Sequence, residues 1–262
     1  MKNINKLKNY AKKCRIDCLK MTHKAKSSHI GSCFSIVEIL VILYFKFLNI
    51  KEKNNFIMSK GHAAAALYSI LSLKKFFKRS LLKKYCSNGF KFSGHVNHNI
   101  RGVFLSTGAL GHGLPVASGL ALAKKKNDQK VFVLISDGEC DEGTTWESAL
   151  FASHNKLKNL IVIIDYNKIQ SFGKIKDILN LEPLEEKWKS FKWFTQRING
   201  HDFNQLDKAI NKALKASIPS VIICDTIKGK GVSFMENEIK WHYKNVDNIE
   251  LFKAEKEINN EK

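Results

Sequence analysis

Residues 131–173 read V-F-V-L-I-S-D-G-E-C-D-E-G-T-T-W-E-S-A-L-F-A-S-H-N-K-L-K-N-L-I-V-I-I-D-Y-N-K-I-Q-S-F-G, and the way their periodicity changes decides the fold. Val131 to Ile135 is an apolar, β-branched run of the length of a buried strand. Ser136-Asp137-Gly138 breaks it with turn residues. Thr144 and Glu147, a T-x-x-E pair, read as a capping box. Trp146, Ala149, Leu150, Ser153 and Leu157 follow at helical spacing, an apolar face suited to packing on a sheet. A second apolar run, Leu160 to Ile164, ends at Asp165-Tyr166-Asn167. The stretch is a βαβ unit, whose crossover is right-handed in nearly all sheets.

Parallel neighbouring strands bring Asp137 and Asn167 to one sheet edge, at the carboxyl ends where open α/β sheets bind ligands. The carboxylate, the amide oxygen and nearby backbone carbonyls are hard ligands suited to Mg²⁺ or Ca²⁺, with phosphate oxygens completing the shell. Gly138 lets a phosphate group approach the backbone. Taken singly, these residues read more simply as a strand-end Asp and a turn Asn with no ligand.

The chain has 262 residues, 44% hydrophobic and 10% aromatic, enough for a sizeable core as one large domain or two small ones. Strands and helices alternate throughout, which predicts an α/β, doubly wound parallel sheet flanked by helices. No repeat or Pro-rich linker divides the chain, so we read residues 1–262 as a single domain with a charged C-terminal tail from about 248 that frays. The net charge of +20 raises a nucleic-acid surface. The lysines are scattered, however, with no Arg stripe and no interleaved aromatics, and solvated helix faces account for them. Cys14, Cys18, Cys33, Cys86, Cys140 and Cys224 include no C-x-x-C pair, which removes zinc-ribbon and thioredoxin-like readings. The N-terminus lacks the apolar core of a signal peptide, and Ile36 to Ile50 is too short and too charged to span a bilayer. A reduced, cytoplasmic location without membrane association is expected.

The D-G-x-x-x-E-G of Asp137 to Gly143, followed one βαβ unit later by the D-x-N of Asp165 to Asn167, resembles the thiamine diphosphate motif of transketolases. The resemblance covers nearly the whole chain. It implies that Asp137, Asn167 and the carbonyl of Ile169 hold a divalent metal, Mg²⁺ or else Ca²⁺ or Mn²⁺, which in turn holds the cofactor's diphosphate. Gly138 and Glu142 count with the cofactor-side residues, although the family counterpart of Glu142 sits near a subunit interface. One departure is Ser136, where the family has Gly.

Further segments carry the same likeness. Lys24 to Gly31, K-A-K-S-S-H-I-G, is similar to K-A-x-S-G-H-P-G, with Ser28 and Ile30 in place of Gly and Pro, and puts His29 toward the substrate. Lys60-Gly61-His62, between a short strand (56–59) and an alanine-rich helix (63–73), puts His62 toward cofactor and substrate. His95 in S-G-H-V is a further substrate histidine, while His98 has no counterpart and reads as a surface residue. Ser106 to Leu114 resembles the family's T-G-x-L-G-x-G, whose backbone at Gly108, Ala109 and Leu110 contacts the cofactor. Gly200-His201-Asp202 is a family hallmark read as a turn feature, and Trp241-His242 resembles the histidine that closes over the thiazolium.

The resemblance implies transfer of a two-carbon ketol unit from a ketose or ketose phosphate to an aldose or aldose phosphate, with His29, His62, His95 and His242 catalytic and the positive field drawing in sugar phosphates. The domain that holds the aminopyrimidine has no match here. The expectation is therefore an N-terminal subunit completed by a separate C-terminal chain, most simply as a heterotetramer. The helices at 35–48 and after His62, apolar nearly all round, are expected to leave surface for that partner. Two alternatives stand: a 2-oxo-acid dehydrogenase α-type subunit, and a non-catalytic scaffold of the same fold. His29, His95 and G-H-D favour transketolase over the former, and the intact Asp137 and Asn167 argue against the latter. The pathway, central pentose phosphate metabolism or a specialised transfer in making surface sugars, is left open.

Overall fold

The computed structural model describes residues 2–48 and 56–260. In chain order come α1 (Lys2–Ala25), α2 (Ile30–Phe34), α3 (Val37–Ile42) with a π-helical turn (Leu43–Phe47), β1 (Phe56–Met58), α4 (Ala64–Leu73), α5 (Gly113–Lys124), β2 (Val131–Ser136), α6 (Gly143–His154), β3 (Leu160–Tyr166), α7 (Ile175–Ile178), α8 (Leu184–Ser190), β4 (Phe194–Asn199), α9 (Phe203–Lys215), β5 (Ser220–Asp225) and α10 (Asn248–Asn260). The chain forms two compact units, one of Lys51–Gly61 and Thr107–Asp225, the other of Met1–Ile50, His62–Ser106 and Thr226–Lys262.

The first of these holds the sheet. Its five strands run in the order β1-β2-β3-β5-β4, every pairing parallel. Every residue of β2 and β3 is buried, as expected for strands covered on both faces, which is why they read as unbroken apolar runs. Leu134 and Ile163 are fully buried, and truncating such a residue to Ala costs about 2–5 kcal/mol. The register pairs Ser136 with Asp165 and Tyr166 with Asp225, so the polar turn residues gather at the carboxyl ends. The expected α/β parallel sheet flanked by helices is the observed fold.

α6 differs in detail from its sequence reading. Thr145, Ser148, Ala149 and Ala152 are its buried residues, while Leu150 is 62% exposed and Phe151 is also exposed. α6 packs on α5, whose buried residues include Ala117, Ser118 and Ala121. Small side chains on both helices form the contact, and Leu150 and Phe151 of α6 are turned out. The Thr144–Glu147 capping box is not formed, since Thr144 Oγ1 donates to Gly111 O at 2.9 Å. The box sits eight residues earlier, at Ser136 and Glu139, and opens the short 3₁₀ turn Asp137–Asp141.

In the helical unit, α1 packs on α3, α4 and α10. Arg15 makes a bidentate buried pair with Glu38, Nη1 to Oε1 at 2.7 Å and Nη2 to Oε2 at 3.0 Å, and its Nε donates to Lys230 O at 2.8 Å. Ser35 Oγ donates to Ser32 O at 3.1 Å. All of α3 is buried, as is nearly all of α4, so these helices lie in the core and do not supply the exposed apolar surface expected of them. From Asn248 the C-terminal segment is helical as α10, with Ala254 and Ile258 buried.

Candidate functional site

In the sheet unit, the turn after β2 and the turn after β3 meet. Asp137 Oδ2 accepts from the Lys168 amide at 2.8 Å, and Oδ1 accepts from the Gly138 amide at 2.8 Å. Asn167 donates Nδ2 to Asp165 Oδ2 at 3.0 Å, and its Oδ1 accepts from the Ile169 amide at 3.1 Å. The amide orientation follows from these two partners, because only Nδ2 can donate to a carboxylate. Asp165 in turn receives Lys60 Nζ, and both side chains are fully buried.

Asp137 is 3% exposed. Burial, and then the Asp165 charge, push its carboxyl up to about 7, against the Lys168 amide, Lys60 and the Gly138 amide. A cation beside this carboxyl would favour its charged form. Among the described residues no group of three or more His, Cys, Asp or Glu could hold a metal. The donor set is instead one carboxylate, one amide oxygen and backbone carbonyls, which fits a hard divalent ion whose remaining ligands are phosphate oxygens.

The glycine-rich loop is knitted to the same edge by Glu139, which is fully buried. Glu139 Oε1 accepts from Ser59 Oγ and from the Gly111 amide at 3.1 Å, and Oε2 accepts from the Ser136 amide at 2.9 Å. Burial pushes its carboxyl up, and those donors and Lys60 oppose the shift. Thr107 Oγ1 donates to Met58 O at 2.6 Å, and Ser59 Oγ accepts from the Gly113 amide at 3.1 Å. Glycine is required at Gly113, where a Cβ would lie 2.2 Å from Ser59 Oγ, and at Gly111, whose φ is +76°. At Gly138 a Cβ would stand in ordinary contact with Gln170 at 3.5 Å, so packing within the protein does not demand glycine there. Gly108 and Ala109 are exposed and Leu110 is half-buried. Glu142 is exposed. Ser136, where the family has Gly, has ordinary extended backbone at φ −94° and caps the turn through Glu139.

The helical unit brings the four expected histidines together. The His29 ring lies 5.4 Å from His62, 5.8 Å from His95 and 4.9 Å from His242, and His62 lies 5.9 Å from His242. His29 is held by its amide, which donates to His242 O at 2.9 Å, and its backbone is left-handed at φ 74°. His95 O accepts from Tyr68 Oη at 2.8 Å. His242 Nδ1 lies 3.0 Å from Lys228 Nζ. His98 is exposed and meets Ser106 Oγ. Asp202 of G-H-D caps α9, accepting from the Asn204 and Gln205 amides, which is the turn role expected of it.

The sequence reading missed Glu139, Lys60, Asp165 and Lys228. A signal existed for two of them: Ser136-Asp137-Gly138-Glu139 is itself an S-x-x-E box, and Asp165 opens the D-x-N.

The family described as transketolase, thiamine diphosphate binding domain, matches residues 6–260. The chain is 42% identical over 235 residues to an apulose-4-phosphate transketolase subunit of Actinobacillus succinogenes, covering 85% of each. It is 39% identical over 225 residues to the 6-deoxy-6-sulfo-D-fructose transketolase subunit SqwG of a Clostridium species, covering 82% of each. The crystal structure of transketolase from Campylobacter jejuni superposes with a TM-score of 0.90 at 31% identity, over 97% of this chain and 42% of that one. The chain thus spans less than half of the solved enzyme. With the motif residues at the carboxyl ends of its parallel sheet and matches of this extent, the chain belongs to the transketolase family, as its thiamine diphosphate binding domain.

Proposed function

We propose that this chain is the N-terminal subunit of a two-chain transketolase, which moves a two-carbon ketol unit from a ketose or ketose phosphate to an aldose or aldose phosphate. The observation that carries this reading is its likeness, over most of both chains, to relatives named as transketolase subunits. The family match spans both compact units, which supports their acting as one thiamine diphosphate-binding domain.

Asp137, Asn167 and the Ile169 carbonyl hold a divalent ion, Mg²⁺ by preference and Ca²⁺ or Mn²⁺ otherwise. The backbone of Gly108, Ala109 and Leu110 borders the cofactor, with Gly138, Glu142, His62 and His242. When bound, thiamine diphosphate supplies the carbanion-stabilising centre that the side chains lack. His29, His62, His95 and His242 face the sugar, hold its hydroxyls and exchange protons with them at their ring nitrogens.

The partner is a separate chain carrying the pyrimidine-binding domain, in a heterotetramer. Val116 and Leu122 on α5 and Leu150 and Phe151 on α6 are exposed, apolar side chains of the kind a partner covers. Among the described residues no helix is long and apolar enough to cross a membrane, and the six cysteines are free thiols, which supports a reducing, cytoplasmic setting. The test is ketol transfer with cofactor and Mg²⁺ by this chain alone, and then with the candidate partner added. Activity only with both chains is expected, and full activity from one overturns the split-subunit reading.

A further inference from the structure

Lys228 is 1% exposed, although lysine is among the residues least often buried. Its position is set by tight packing on α2. A Cβ at Gly31 would lie 3.1 Å from Lys228 Cγ and 3.3 Å from Trp241 O. The Gly229 amide donates to Gly31 O at 3.0 Å, and the Asn237 amide donates to Lys228 O at 2.9 Å. The backbone on both sides of the lysine is therefore anchored, and its Nζ is delivered to His242 Nδ1 at 3.0 Å.

We infer that Lys228 is a positioning residue that fixes the tautomer of His242, with Nδ1 bare and the proton on Nε2. An ammonium has three donors and no acceptor, so a ring nitrogen in contact with it must be the acceptor. A neutral imidazole carries its one proton on the other nitrogen, and the partner of one nitrogen decides what the other can do. His242 accordingly presents an N–H rather than a lone pair from Nε2, and its job becomes donation to an oxygen. The perpendicular His29 ring at 4.9 Å and the Tyr243 ring at 4.7 Å flank the same imidazole and limit its rotation. Free imidazole exchanges between tautomers, and a fixed donor at Nδ1 removes that freedom before any sugar arrives. This rests on the proposed function only for what His242 donates to, namely a substrate or cofactor oxygen. The tautomer itself does not depend on it.

The experiment is a long-range ¹H–¹⁵N correlation spectrum of the histidine rings in the full ¹⁵N-labelled chain at neutral pH, with the His242 signals assigned by their loss in His242→Gln. One bare Nδ1 and one protonated Nε2 are expected. Lys228→Met, which keeps the stem and removes the donor, is expected to shift His242 toward the Nδ1–H form or a mixture, whereas Lys228→Arg keeps the Nε2–H pattern. An Nδ1–H ring in the wild-type chain overturns the inference, and so does an unchanged pattern in folded Lys228→Met. Where Lys228→Met does not fold, Lys228→Leu takes its place, and an unchanged pattern in that variant overturns the inference equally. Because it is read without cofactor, sugar or partner chain, its outcome is independent of the ketol-transfer assay.

Discussion

The amide of Lys168 donates to Asp137 Oδ2 at 2.8 Å, which ties the two halves of the metal-diphosphate motif together across the β2–β3 register. Asp137 is thus a structural link as well as a candidate ligand. Asp137→Ala is expected to abolish retention of thiamine diphosphate in the assembled enzyme, and omission of Mg²⁺ is expected to weaken the wild-type affinity strongly. Asp137→Asn keeps an acceptor for the Lys168 amide while losing the charge, and should fold yet bind the cofactor poorly. Calorimetry with and without Mg²⁺ checks this; equal affinities would remove the metal from the account.

The Lys60–Asp165 pair has no exposed atoms to be screened by water. Removing Lys60 takes a cation away from the buried Asp165 carboxylate, at a cost of about 3–5 kcal/mol. Lys60→Met should therefore lower the denaturant midpoint sharply, and Lys60→Met with Asp165→Asn should recover part of the loss. Asp165 also orients Asn167, so the single variant should weaken cofactor binding about 10–100-fold where it folds. A double variant no more stable than the single one would contradict the pairing.

Glu139 accepts from the Ser59 hydroxyl and from the Gly111 and Ser136 amides at once. Glu139→Gln has nearly the same shape but must turn an NH₂ toward one of those donors. We expect a loss of about 1–3 kcal/mol and earlier hydrogen exchange of the Gly111 amide. Native-state exchange that leaves this amide as protected as in the wild type would show that the loop is held by other contacts.

The strands were the legible part of this chain because β2 and β3 are buried on both faces and so spell continuous apolar runs. The histidines and the Asp137–Asn167 pair were legible as short motifs. Lys60 and Lys228 were not. Lysine and arginine number 44, and nothing local marks the buried ones, since Lys60 meets its carboxylate 105 residues away. On α6, side-chain size suggests Leu150 for the buried face beside Ala149, whereas close approach of two small-residue helices turns Leu150 out and buries Ala152 with Ala149. The S-x-x-E box at Ser136 is masked in the sequence because its residues also spell the Asp137-Gly138 turn.

The histidines call for variants chosen by backbone as well as by ring. His95 contributes its carbonyl to Tyr68, which any side chain retains, so His95→Ala isolates the imidazole. His29 is different: its φ of 74° is a conformation that costs a Cβ-bearing residue about 1–2 kcal/mol, Asn and Asp being the usual exceptions. His29→Ala would mix the loss of a ring with altered strain in the segment that also anchors Gly31 on Lys228. His29→Asn tolerates the left-handed backbone and is the cleaner test. Both His95→Ala and His29→Asn are expected to reduce ketol-transfer turnover of the assembled enzyme by about 10²–10⁴-fold, the usual contribution of a positioned acid or base, while cofactor affinity changes little. Steady-state turnover and cofactor calorimetry on the same preparations separate the two effects. Wild-type turnover in both variants would show that these rings do not act on the sugar, and lost cofactor binding with preserved folding would move them to the cofactor side.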